Sequence, residues 1–524
     1  MKKYDFIIVG SGFGGSVSAM RLTQKGYKVL VLEKGKKYKP QDFAKTNWNL
    51  RKFVWAPLIR CFGIQQITLL NKIMILHGVG VGGGSLVYAN TLMQPEDSVL
   101  SESIWPRQFT ANKNHFYQLA RKMLGVTENK IVTEADKKMQ LLGERLGVKD
   151  SFHLTQVGVN FESEGIDPYF AGHGPVRQAC TGCGACMIGC RVGAKNTLDK
   201  NYLYFAEKWG CEITPETTVD KIIPLNNGGY QIITHRSTSF LKKSKTYTAE
   251  HVILAAGVIG TLKILFSNKF KHQTLPHISE ELGVDVRTNG ESLCGATALN
   301  DDIDYSAGIA IGSAIHPDAY TKIEPVRYPQ GSDLMRLLAV PLTGDGSRFT
   351  RPLKLLGNIF LKFIPFSKLY FSKDWARRTI ILLVMQTLEE KITIKYKRSV
   401  FSLFQKSLVC EDKDKSIKSY LPVAQQASTE LADIMQGVPQ NVISEVLLAT
   451  PATAHILGGC RFGSVINDQH EVIGHKNLYV IDGSVIPVNL GVNPSLTITA
   501  LAESFVNQFP ASHNESDERQ IRFT

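Results

Sequence analysis

The stretch CTGCGACMIGC contains four closely spaced cysteines: Cys180, Cys183, Cys186 and Cys190. Their C-x2-C-x2-C-x3-C spacing is the one with which bacterial ferredoxins bind iron–sulfur clusters. Arg191 follows where ferredoxins have proline, and in two-cluster ferredoxins the fourth cysteine ligates the other cluster. Two interpretations stay open: a metal site, with iron–sulfur favoured over zinc, or a thiol-rich loop that only packs.

A second motif that could do chemistry lies near the N-terminus, where GSGFGG occupies residues 10–15. It follows the apolar run YDFIIV, precedes a helical pattern, and Glu33 ends the next apolar run. In this context Gly10 permits a tight turn, Gly12 lets the backbone approach a pyrophosphate, and Gly15 lets the helix pack on the strand. Glu33 suits ribose hydroxyls and would repel the extra phosphate of NADP, which favours FAD or NAD. The alternative is a glycine-rich turn without a ligand.

The elements that would position these motifs alternate between strand and helix. Strand, turn, helix and strand follow one another at the N-terminus, and VILAAG (252–257) is typical of another buried strand. Asn-Asn-Gly-Gly, at 226–229, indicates a hairpin. A strand in NLYVIDGSVIP and a helix in NPSLTITALAESFVNQF come last, and the polar tail after them is expected to be disordered. The pattern predicts an α/β fold.

Composition narrows the classes of partner and compartment. The 524 residues carry 60 Lys and Arg against 47 Asp and Glu, a net charge of +13, which favours anionic surfaces. No nucleic-acid-binding module is recognised, so we expect a membrane surface and no nucleic acid as partner. The nine cysteines do not resemble a disulfide scaffold, and MKKYDFIIVGSG lacks the features of a signal peptide. TIILLVMQTL (379–388) is about half of a membrane span, so we expect a cytoplasmic protein with reversible membrane contact.

Several motifs, in order along the chain, resemble one family of flavoproteins. They are HGVGVGGGSLVYAN (77–90), AKNTLDKNYL (194–203), AHILGG (454–459), NLYVIDGSVIP (477–487) and GVNPSLTITALAE (491–503). The set resembles the glucose–methanol–choline (GMC) oxidoreductases, most closely their cholesterol oxidase branch with noncovalent FAD. The match covers both ends and the middle of the chain and is weak between about 325 and 449. It implies a Rossmann-like FAD-binding domain with an interleaved α+β substrate domain.

The resemblance also implies which residues bind FAD. The N-terminal glycine turn would hold the ADP half, the second glycine-rich stretch would bring backbone against the pyrophosphate or flavin, and the C-terminal segment would reach the ribityl chain and the isoalloxazine ring. Val219 would meet the adenine through its main chain. The full set is Gly10, Gly12, Phe13, Gly14, Gly15, Glu33, Gly83, Gly84, Ser85, Val219, Asp482, Gly483, Asn493 and Pro494. His77 is expected to be structural rather than a site of covalent flavin attachment.

Alcohol oxidation requires a group that accepts the hydroxyl proton while hydride leaves the carbon. By resemblance, His455 would handle that proton and Asn493 would orient the hydroxyl. Glu324 would move the ring double bond of a sterol product, a role suited to a carboxylate whose pKa is raised in an apolar pocket. Two alternatives stay open, because His455 could cap a turn beside its glycines and Glu324 could be a surface residue next to Arg327.

A basic and aromatic segment, RPLKLLGNIFLKFIPFSKLYFSKDWARR, occupies residues 351–378 and has no acidic residue before Asp374. Basic residues beside Trp and Phe suit a segment that lies in a bilayer interface. The alternative is a buried helix pair with snorkelling lysines. We expect the membrane surface to be contacted here.

The expected organisation of the chain interleaves the two domains. Its segments are a first FAD-binding part (1–46), a substrate-domain and flavin-loop part with the glycine-rich loop and the cysteines (47–190), a second FAD-binding part (191–300), a substrate domain (301–449), a C-terminal FAD-binding and active-site part (450–507) and a polar tail (508–524).

Together these features predict FAD-dependent oxidation of the secondary alcohol of a sterol or hydroxysteroid, with oxygen or another acceptor taking the electrons. Two enzymatic alternatives stay open: a long-chain alcohol oxidase, and a dehydrogenase that passes electrons through an iron–sulfur site. A non-catalytic, membrane-binding flavoprotein is a third, and the presence of both His455 and Asn493 argues against it.

Overall fold

The computed structural model describes the chain except residues 1–2, 102, 163, 301, 347–348, 362, 364–366, 368–373, 399–405, 412–419, 448–449 and 513–518. Its strands are β1 (Lys3–Val9), β2 (Val29–Leu32), β3 (Trp55–Ala56), β4 (Cys61–Phe62), β5 (Gln65–Leu70), β6 (Ile73–Gly78), β7 (Thr127–Glu128), β8 (His153–Leu154), β9 (Gln156–Val157), β10 (Glu212–Thr214), β11 (Thr217–Pro224), β12 (Tyr230–Arg236), β13 (Ser244–Leu254), β14 (Ser292–Ala298), β15 (Ser313–Asp318), β16 (Thr321–Val326), β17 (Ala339–Pro341), β18 (Thr379–Gln386), β19 (Thr393–Arg398), β20 (Lys406–Glu411), β21 (Gly437–Val442), β22 (Ala452–Thr453) and β23 (Leu478–Val480). Its α-helices are α1 (Phe13–Gln24), α2 (Leu50–Phe53), α3 (Asp97–Leu100), α4 (Arg107–Ala111), α5 (Lys113–Leu124), α6 (Glu134–Arg145), α7 (Tyr202–Lys208), α8 (Gly257–Phe266), α9 (Thr350–Leu361), α10 (Trp375–Arg378), α11 (Pro422–Ile434), α12 (Ile443–Leu447) and α13 (Ser495–Asn507).

The first sheet joins strands from the N-terminal, middle and C-terminal parts of the chain. β10, β2, β1, β13 and β23 pair in parallel, and β12 and β11 extend β13 by antiparallel pairing. β1 and β2 are apolar and buried, as expected for a parallel sheet with both faces covered. The predicted strand, turn, helix and strand at the N-terminus are confirmed, and so is the hairpin between β11 and β12.

The carboxyl ends of the parallel strands gather polar and small residues at one edge of this sheet. Gly10 follows β1, Glu33 follows β2, Ala255 follows β13 and Asp482 lies just after β23. Ligands of open α/β sheets bind outside the carboxyl ends of the strands. This edge is therefore where a dinucleotide site is expected.

The second sheet is antiparallel and has the order β17-β21-β14-β18-β16-β15-β8. α6 and α11 cover one of its faces, and their apolar side chains share a core with Ile323 of β16 and Leu382 of β18. TIILLVMQTL, about half of a membrane span by length, is largely the buried strand β18 at the centre of this sheet. Within the described part of the chain, no helix is long and apolar enough to cross a bilayer.

A separate three-stranded sheet carries segments that lead to the candidate site. β22 pairs in parallel with β6, which pairs with β5. β6 leads into the second glycine-rich stretch, and β22 leads directly to His455. The predicted segment boundaries stay a prediction; β14, inside the predicted second FAD-binding part, is hydrogen-bonded in the antiparallel sheet.

The expectation of a disordered C-terminal tail is wrong for residues 519–524. Arg519 donates from Nη1 to the carbonyl of Thr23 at 2.6 Å, and Ile521 and Phe523 pack against the main core. The residues in between, 513–518, lie outside the described residues. The prediction failed because the tail is polar on average, whereas its two apolar side chains, Ile521 and Phe523, pack against the main core.

Candidate active site

The N-terminal glycine turn is tightly packed except at one position. Gly10 has φ +102°, and a Cβ there would lie 2.2 Å from the carbonyl oxygen of Ala255. A Cβ on Gly15 would lie 2.1 Å from the oxygen of Gly10, whereas one on Gly12 would meet nothing within 4 Å. The packing requires glycine at both ends of the turn, and the open space at Gly12 fits the close approach of a pyrophosphate.

Glu33 is buried beside this turn and is already held by the protein. Its carboxylate accepts hydrogen bonds from Ser11 Oγ at 2.8 Å, from the Ser11 backbone N–H at 3.1 Å and from the Gly35 N–H at 2.8 Å. A carboxylate offers about four acceptor positions. These contacts therefore fix the carboxylate at the strand edge and leave it acceptor capacity for ribose hydroxyls.

The second glycine stretch lies directly on the first. Gly83 has φ +52°, and a Cβ there would lie 2.6 Å from the Cα of Gly12, while one on Gly84 would lie 3.7 Å from the ring of Phe13. Ser85 uses its hydroxyl within the protein, donating to the Gly82 carbonyl and accepting from the Leu198 N–H. The sequence thus predicted two glycine motifs that the fold brings into contact.

Val219 and Asp482 occupy different elements of the same edge. Val219 lies at an irregularity of β11, where the register with β12 shifts, and such a bulge leaves backbone groups outside the ladder. Asp482 accepts from Thr261 Oγ1 at 2.6 Å and from the Ser484 N–H at 2.8 Å. Burial raises the pKa of Asp482, although these hydrogen bonds oppose the shift. The Gly483 carbonyl accepts from the Gly458 N–H, which ties this turn to the His455 loop.

His455 contacts a glutamate that the sequence analysis missed. Its Nδ1 contacts Oε1 of Glu291, which is fully buried just before β14. The second oxygen of Glu291 accepts from the Ala454 N–H, and Thr453 Oγ1 accepts from the His455 N–H. Burial lowers the pKa of His455, but the charges of Glu291 and then Glu324 outweigh burial, and the net shift of the pKa is upward.

Glu324 and Asn493 are in direct contact. Asn493 donates from Nδ2 to Oε2 of Glu324 at 3.2 Å, and Lys322 Nζ lies 3.3 Å from Oε1 of the same carboxylate. All three are buried, so Glu324 is not a surface residue, and Arg327 pairs with Asp136 instead. The structure gives Glu324 a cationic partner where the sequence analysis expected an apolar pocket.

The loop before α13 is held by amide side chains. Asn289 accepts from the Gly491 N–H at 2.9 Å and donates to the Val492 carbonyl at 3.0 Å. Asn493 and Pro494 follow at once, and Pro494 caps the helix. Oδ1 of Asn493 is buried and has no hydrogen-bond partner among the described residues. An unsatisfied buried acceptor costs free energy, so this atom fits a site completed by a ligand.

Glu291 and Lys322 differ in how the sequence could have revealed them. Lys322 lies two residues before Glu324 on β16, so strand alternation places both on the face opposite Ile323. The strand alternation in the sequence could therefore have indicated that Lys322 lies beside Glu324. Glu291 follows a loop and matches no motif, so nothing local indicates its contact with His455. His77, predicted to be structural, bonds Thr68 Oγ1 through Nε2 at 2.8 Å.

Neither the four motif cysteines nor the 351–378 segment belongs to the group formed by His455, Asn493 and Glu324. In the described residues, no three His, Cys, Asp or Glu side chains are placed to hold a metal ion.

Helix α9 exposes apolar side chains: Leu353, Leu356 and Phe360 are 68%, 64% and 84% exposed to solvent. The part of the segment at 362, 364–366 and 368–373 falls outside the described residues.

Comparison with known proteins identifies the class and then the family. Family models described as GMC oxidoreductase match residues 4–286 and 396–502. The chain is 43% identical to a cholesterol oxidase of Acinetobacter baumannii, with 98% of this chain and 96% of the relative covered, and 42% identical to one of Mycobacterium tuberculosis, with 98% and 92% covered. It is 24% identical to a long-chain-alcohol oxidase of Arabidopsis thaliana, with 95% of this chain and 66% of the relative covered.

Solved structures support the same fold. The pyridoxine 4-oxidase of Mesorbium loti matches with a TM-score of 0.61 at 13% identity, covering 97% of this chain and 99% of that one. A formate oxidase of Aspergillus oryzae matches with a TM-score of 0.62 at 12% identity, covering 97% and 98%. The family models and the cholesterol oxidase relatives show that the protein is an FAD-dependent oxidoreductase that acts on CH–OH groups. The chain belongs to the GMC oxidoreductase family, as its motifs predicted.

Proposed function

We propose that the protein oxidises the 3-hydroxyl of a sterol or related hydroxysteroid to a ketone. The observation that carries this substrate class is the likeness, at 42–43% identity over nearly the whole chain, to relatives named cholesterol oxidases. The buried pair of Asn493 with Glu324, together with the contact of His455 with Glu291, supports an intact alcohol site.

The two glycine turns, Glu33, the bulge at Val219 and the turn at Asp482 are the groups that we expect to hold FAD. FAD, when bound, supplies the acceptor for the hydride that leaves the carbinol carbon. The chain's own task is then to place the hydroxyl and to remove its proton.

His455 is proposed to accept the hydroxyl proton. Nδ1 faces Glu291, which leaves Nε2 as the nitrogen for the substrate. Glu291 fixes the ring orientation and stabilises the imidazolium that forms when the proton arrives, as a carboxylate beside a catalytic histidine generally does. The substrate proton therefore ends on His455 Nε2.

Asn493 is proposed to orient the hydroxyl. Its Nδ2 is committed to Glu324 at 3.2 Å, while Oδ1 lacks a partner among the described residues. Oδ1 can accept the substrate O–H before the proton moves to His455. Glu324 thus fixes the amide in the orientation that presents its oxygen.

Glu324 is further proposed to move the ring double bond of the oxidised sterol. The ketone acidifies the neighbouring carbon, a carboxylate can remove that proton, and the same group can return it two carbons away. Lys322 Nζ lies 3.3 Å from Oε1 of Glu324 and holds the buried carboxylate in place on β16.

A long-chain primary alcohol is the second candidate substrate, supported by the Arabidopsis relative at 24% identity. For both substrates, molecular oxygen is the proposed acceptor, because the cholesterol oxidase relatives are named as oxidases.

An anionic membrane surface is the proposed partner, because α9 exposes apolar side chains, the chain carries a net charge of +13 and sterols reside in membranes.

Product analysis under air tests this proposal. Purified protein with bound FAD is given cholesterol or a long-chain alcohol of matched solubility, and ketone, aldehyde and hydrogen peroxide are quantified. We expect a sterol ketone and an equal amount of peroxide. Aldehyde from the long-chain alcohol without any sterol ketone would replace the proposed substrate, and ketone without peroxide would exclude oxygen as the acceptor.

A further inference from the structure

The loop that carries the four motif cysteines, residues 180–190, surrounds one small cavity outside the proposed sterol site. Cys180, Cys183, Cys186 and Cys190 all line it, together with Val159 and Gly308. All four are free thiols, and Cys183 is the most exposed of them. The fourth cysteine of the motif therefore faces the same space as the other three. The objection that it would serve a second cluster, as in two-cluster ferredoxins, does not apply to this fold.

Glycines shape this loop and hydrogen bonds fix it to Gly308. Gly182 and Gly184 have φ +64° and +68°, which turn the chain so that its cysteines face inward. The loop and Gly308 exchange two backbone hydrogen bonds of 2.7 Å, from Gly184 to Gly308 and from Gly308 to Gly182. Arg191, in the place of the ferredoxin proline, donates to the Phe43 carbonyl at 2.6 Å. The arrangement is thus held by backbone contacts and needs no disulfide.

The cysteine sulfurs receive backbone N–H groups. Gly182 N–H donates to Cys180 Sγ and Lys195 N–H donates to Cys190 Sγ, each at 3.5 Å, and the backbone of Ala310 bonds Cys186. Neutral thiols are weak acceptors, whereas thiolate ligands of iron–sulfur clusters characteristically accept such bonds. Donors directed at these sulfurs are therefore suited to a ligated state.

A buried cation adds an independent observation. Lys195 is 1% exposed, and its ammonium donates to the carbonyls of Cys186, Leu86 and Tyr88 at 2.7, 2.9 and 3.1 Å. No carboxylate in the described residues forms an ion pair with it. A buried charge without a counter-ion is unfavourable. A cluster with four thiolate ligands carries net negative charge and would provide the counter-ion.

The ligand spacing that a cluster needs differs from the spacing that a single ion needs. Four thiolates on one zinc ion lie about 3.8 Å apart, since each is about 2.3 Å from the metal. Among the residues that the structure describes, no three His, Cys, Asp or Glu side chains are placed to hold a metal ion. A four-iron cluster needs a wider ring, because each cysteine binds a different iron. Four cysteines that line one cavity supply one ligand for each iron.

We infer that Cys180, Cys183, Cys186 and Cys190 bind a [4Fe–4S] cluster, a site that goes beyond the alcohol oxidation proposed above. Each cysteine binds as a thiolate, so four thiol protons pass to solvent as the cluster enters. Lys195 connects the site to the second glycine stretch, because its ammonium bonds both Cys186 and Leu86. The cluster would therefore lie beside the segment proposed to contact FAD.

Iron and sulfide analysis of the full chain tests this site. The protein is purified without oxygen, supplied with ferrous iron and sulfide, desalted, and assayed for iron, acid-labile sulfide and FAD. We expect about four iron and four sulfide per chain, and an electron paramagnetic resonance signal after reduction with dithionite. Iron below about two per chain, or one zinc per chain in the protein as purified, would overturn the inference.

Matched cysteine variants assign the metal to the motif. Cys183→Ser changes the most exposed thiol, so folding should persist, and we expect iron and sulfide to fall at least fourfold while FAD content stays the same. Cys211→Ser alters a buried thiol outside the loop that contacts the Glu212 carbonyl, and it should keep its iron. Equal iron in Cys183→Ser and the unaltered protein would contradict the assignment. Because FAD content is read separately, loss of the cluster and failure of the alcohol-oxidation proposal are distinguishable.

Discussion

Two carboxylates, Glu291 and Glu324, govern the proposed chemistry, and each acts through a direct contact. Glu291 holds His455, and Glu324 holds Asn493 while facing Lys322. Motifs could indicate the histidine and the asparagine because both lie in segments with recognisable local sequence. They could not indicate Glu291, because its contact with His455 joins parts of the chain that only the fold brings together.

The charge of Glu291 predicts a specific pH dependence. If neutral His455 accepts the substrate proton, kcat/KM falls as the pH drops below the pKa of His455. Glu291 raises that pKa. Glu291→Gln keeps the shape and removes the charge, so the pKa falls and the acidic limb of the kcat/KM profile moves to lower pH. The measurement is a pH–rate profile at constant ionic strength, with FAD content checked for each variant.

Glu503→Gln is the control for this experiment, since Glu503 is also buried but contacts Arg21 and Tyr202 instead. Its acidic limb should coincide with that of the unaltered protein. An acidic limb that stays fixed or moves to higher pH in Glu291→Gln would contradict the proposed role of His455.

Glu324→Gln should separate oxidation from double-bond movement. The amide keeps an acceptor for Asn493 but cannot act as a base, so isomerisation should drop about 100-fold or more while oxidation persists within about tenfold. The unconjugated ketone then accumulates and is measured by its lack of the ultraviolet absorbance of a conjugated enone. Because the change leaves Lys322 without its partner, Lys322→Met/Glu324→Gln provides a second variant without a stranded charge. Unchanged conjugation of the product in both variants would exclude Glu324 as the isomerising base.

At the scale of elements, the two glycine turns were predicted from local sequence, and their contact was not. A turn needs glycine where φ is positive or where backbone approaches closely, and both reasons are visible in a short motif. That Gly83 lies on Gly12 depends on how β6 and β1 are placed, which local sequence does not encode.

This contact predicts that Gly83→Ala impairs FAD binding. The new Cβ would lie 2.6 Å from the Cα of Gly12, at φ +52°. We expect the dissociation constant for FAD to rise at least tenfold, measured by titration of the apoprotein. Gly147→Ala is the control, because Gly147 has φ +74° but nothing within 4 Å of its Cβ position. If both variants lose FAD affinity equally, strain alone is responsible and the packed contact is not the cause.

Helix α9 carries the prediction for membrane contact. Phe360→Ser removes the most exposed apolar side chain of its outer face, so binding to vesicles of phosphatidylserine and phosphatidylcholine should weaken several-fold in a sedimentation assay. Phe240→Ser removes a similarly exposed ring, 72% accessible, in the connection between β12 and β13, and should have no effect. If both changes weaken vesicle binding equally, the contact is not specific to α9. If neither change weakens binding, Phe360 does not contact the membrane.

At the scale of the whole molecule, the first sheet was more predictable than the second. β1, α1 and β2 follow one another in sequence and in space, so periodicity and turn residues were sufficient. In the second sheet, β14 pairs with β18 and β21, strands far along the chain, and β18 is buried on both faces. A strand buried on both faces shows no alternation, and its partners cannot be read from local sequence. Glu324 lies on β16 of this sheet, and the strands that neighbour β16 could not be read from local sequence, which is why the sequence implied a substrate class only by resemblance.

The central claim is that a sterol reduces the bound flavin through a site that contains His455. The most direct test is an anaerobic titration of the FAD-containing protein with cholesterol, following the visible flavin absorbance. Bleaching of that absorbance in proportion to the sterol added is the predicted result, and His455→Ala should slow it by orders of magnitude while FAD remains bound. Flavin that stays oxidised with excess cholesterol, or bleaching at an unchanged rate in His455→Ala, would contradict the account.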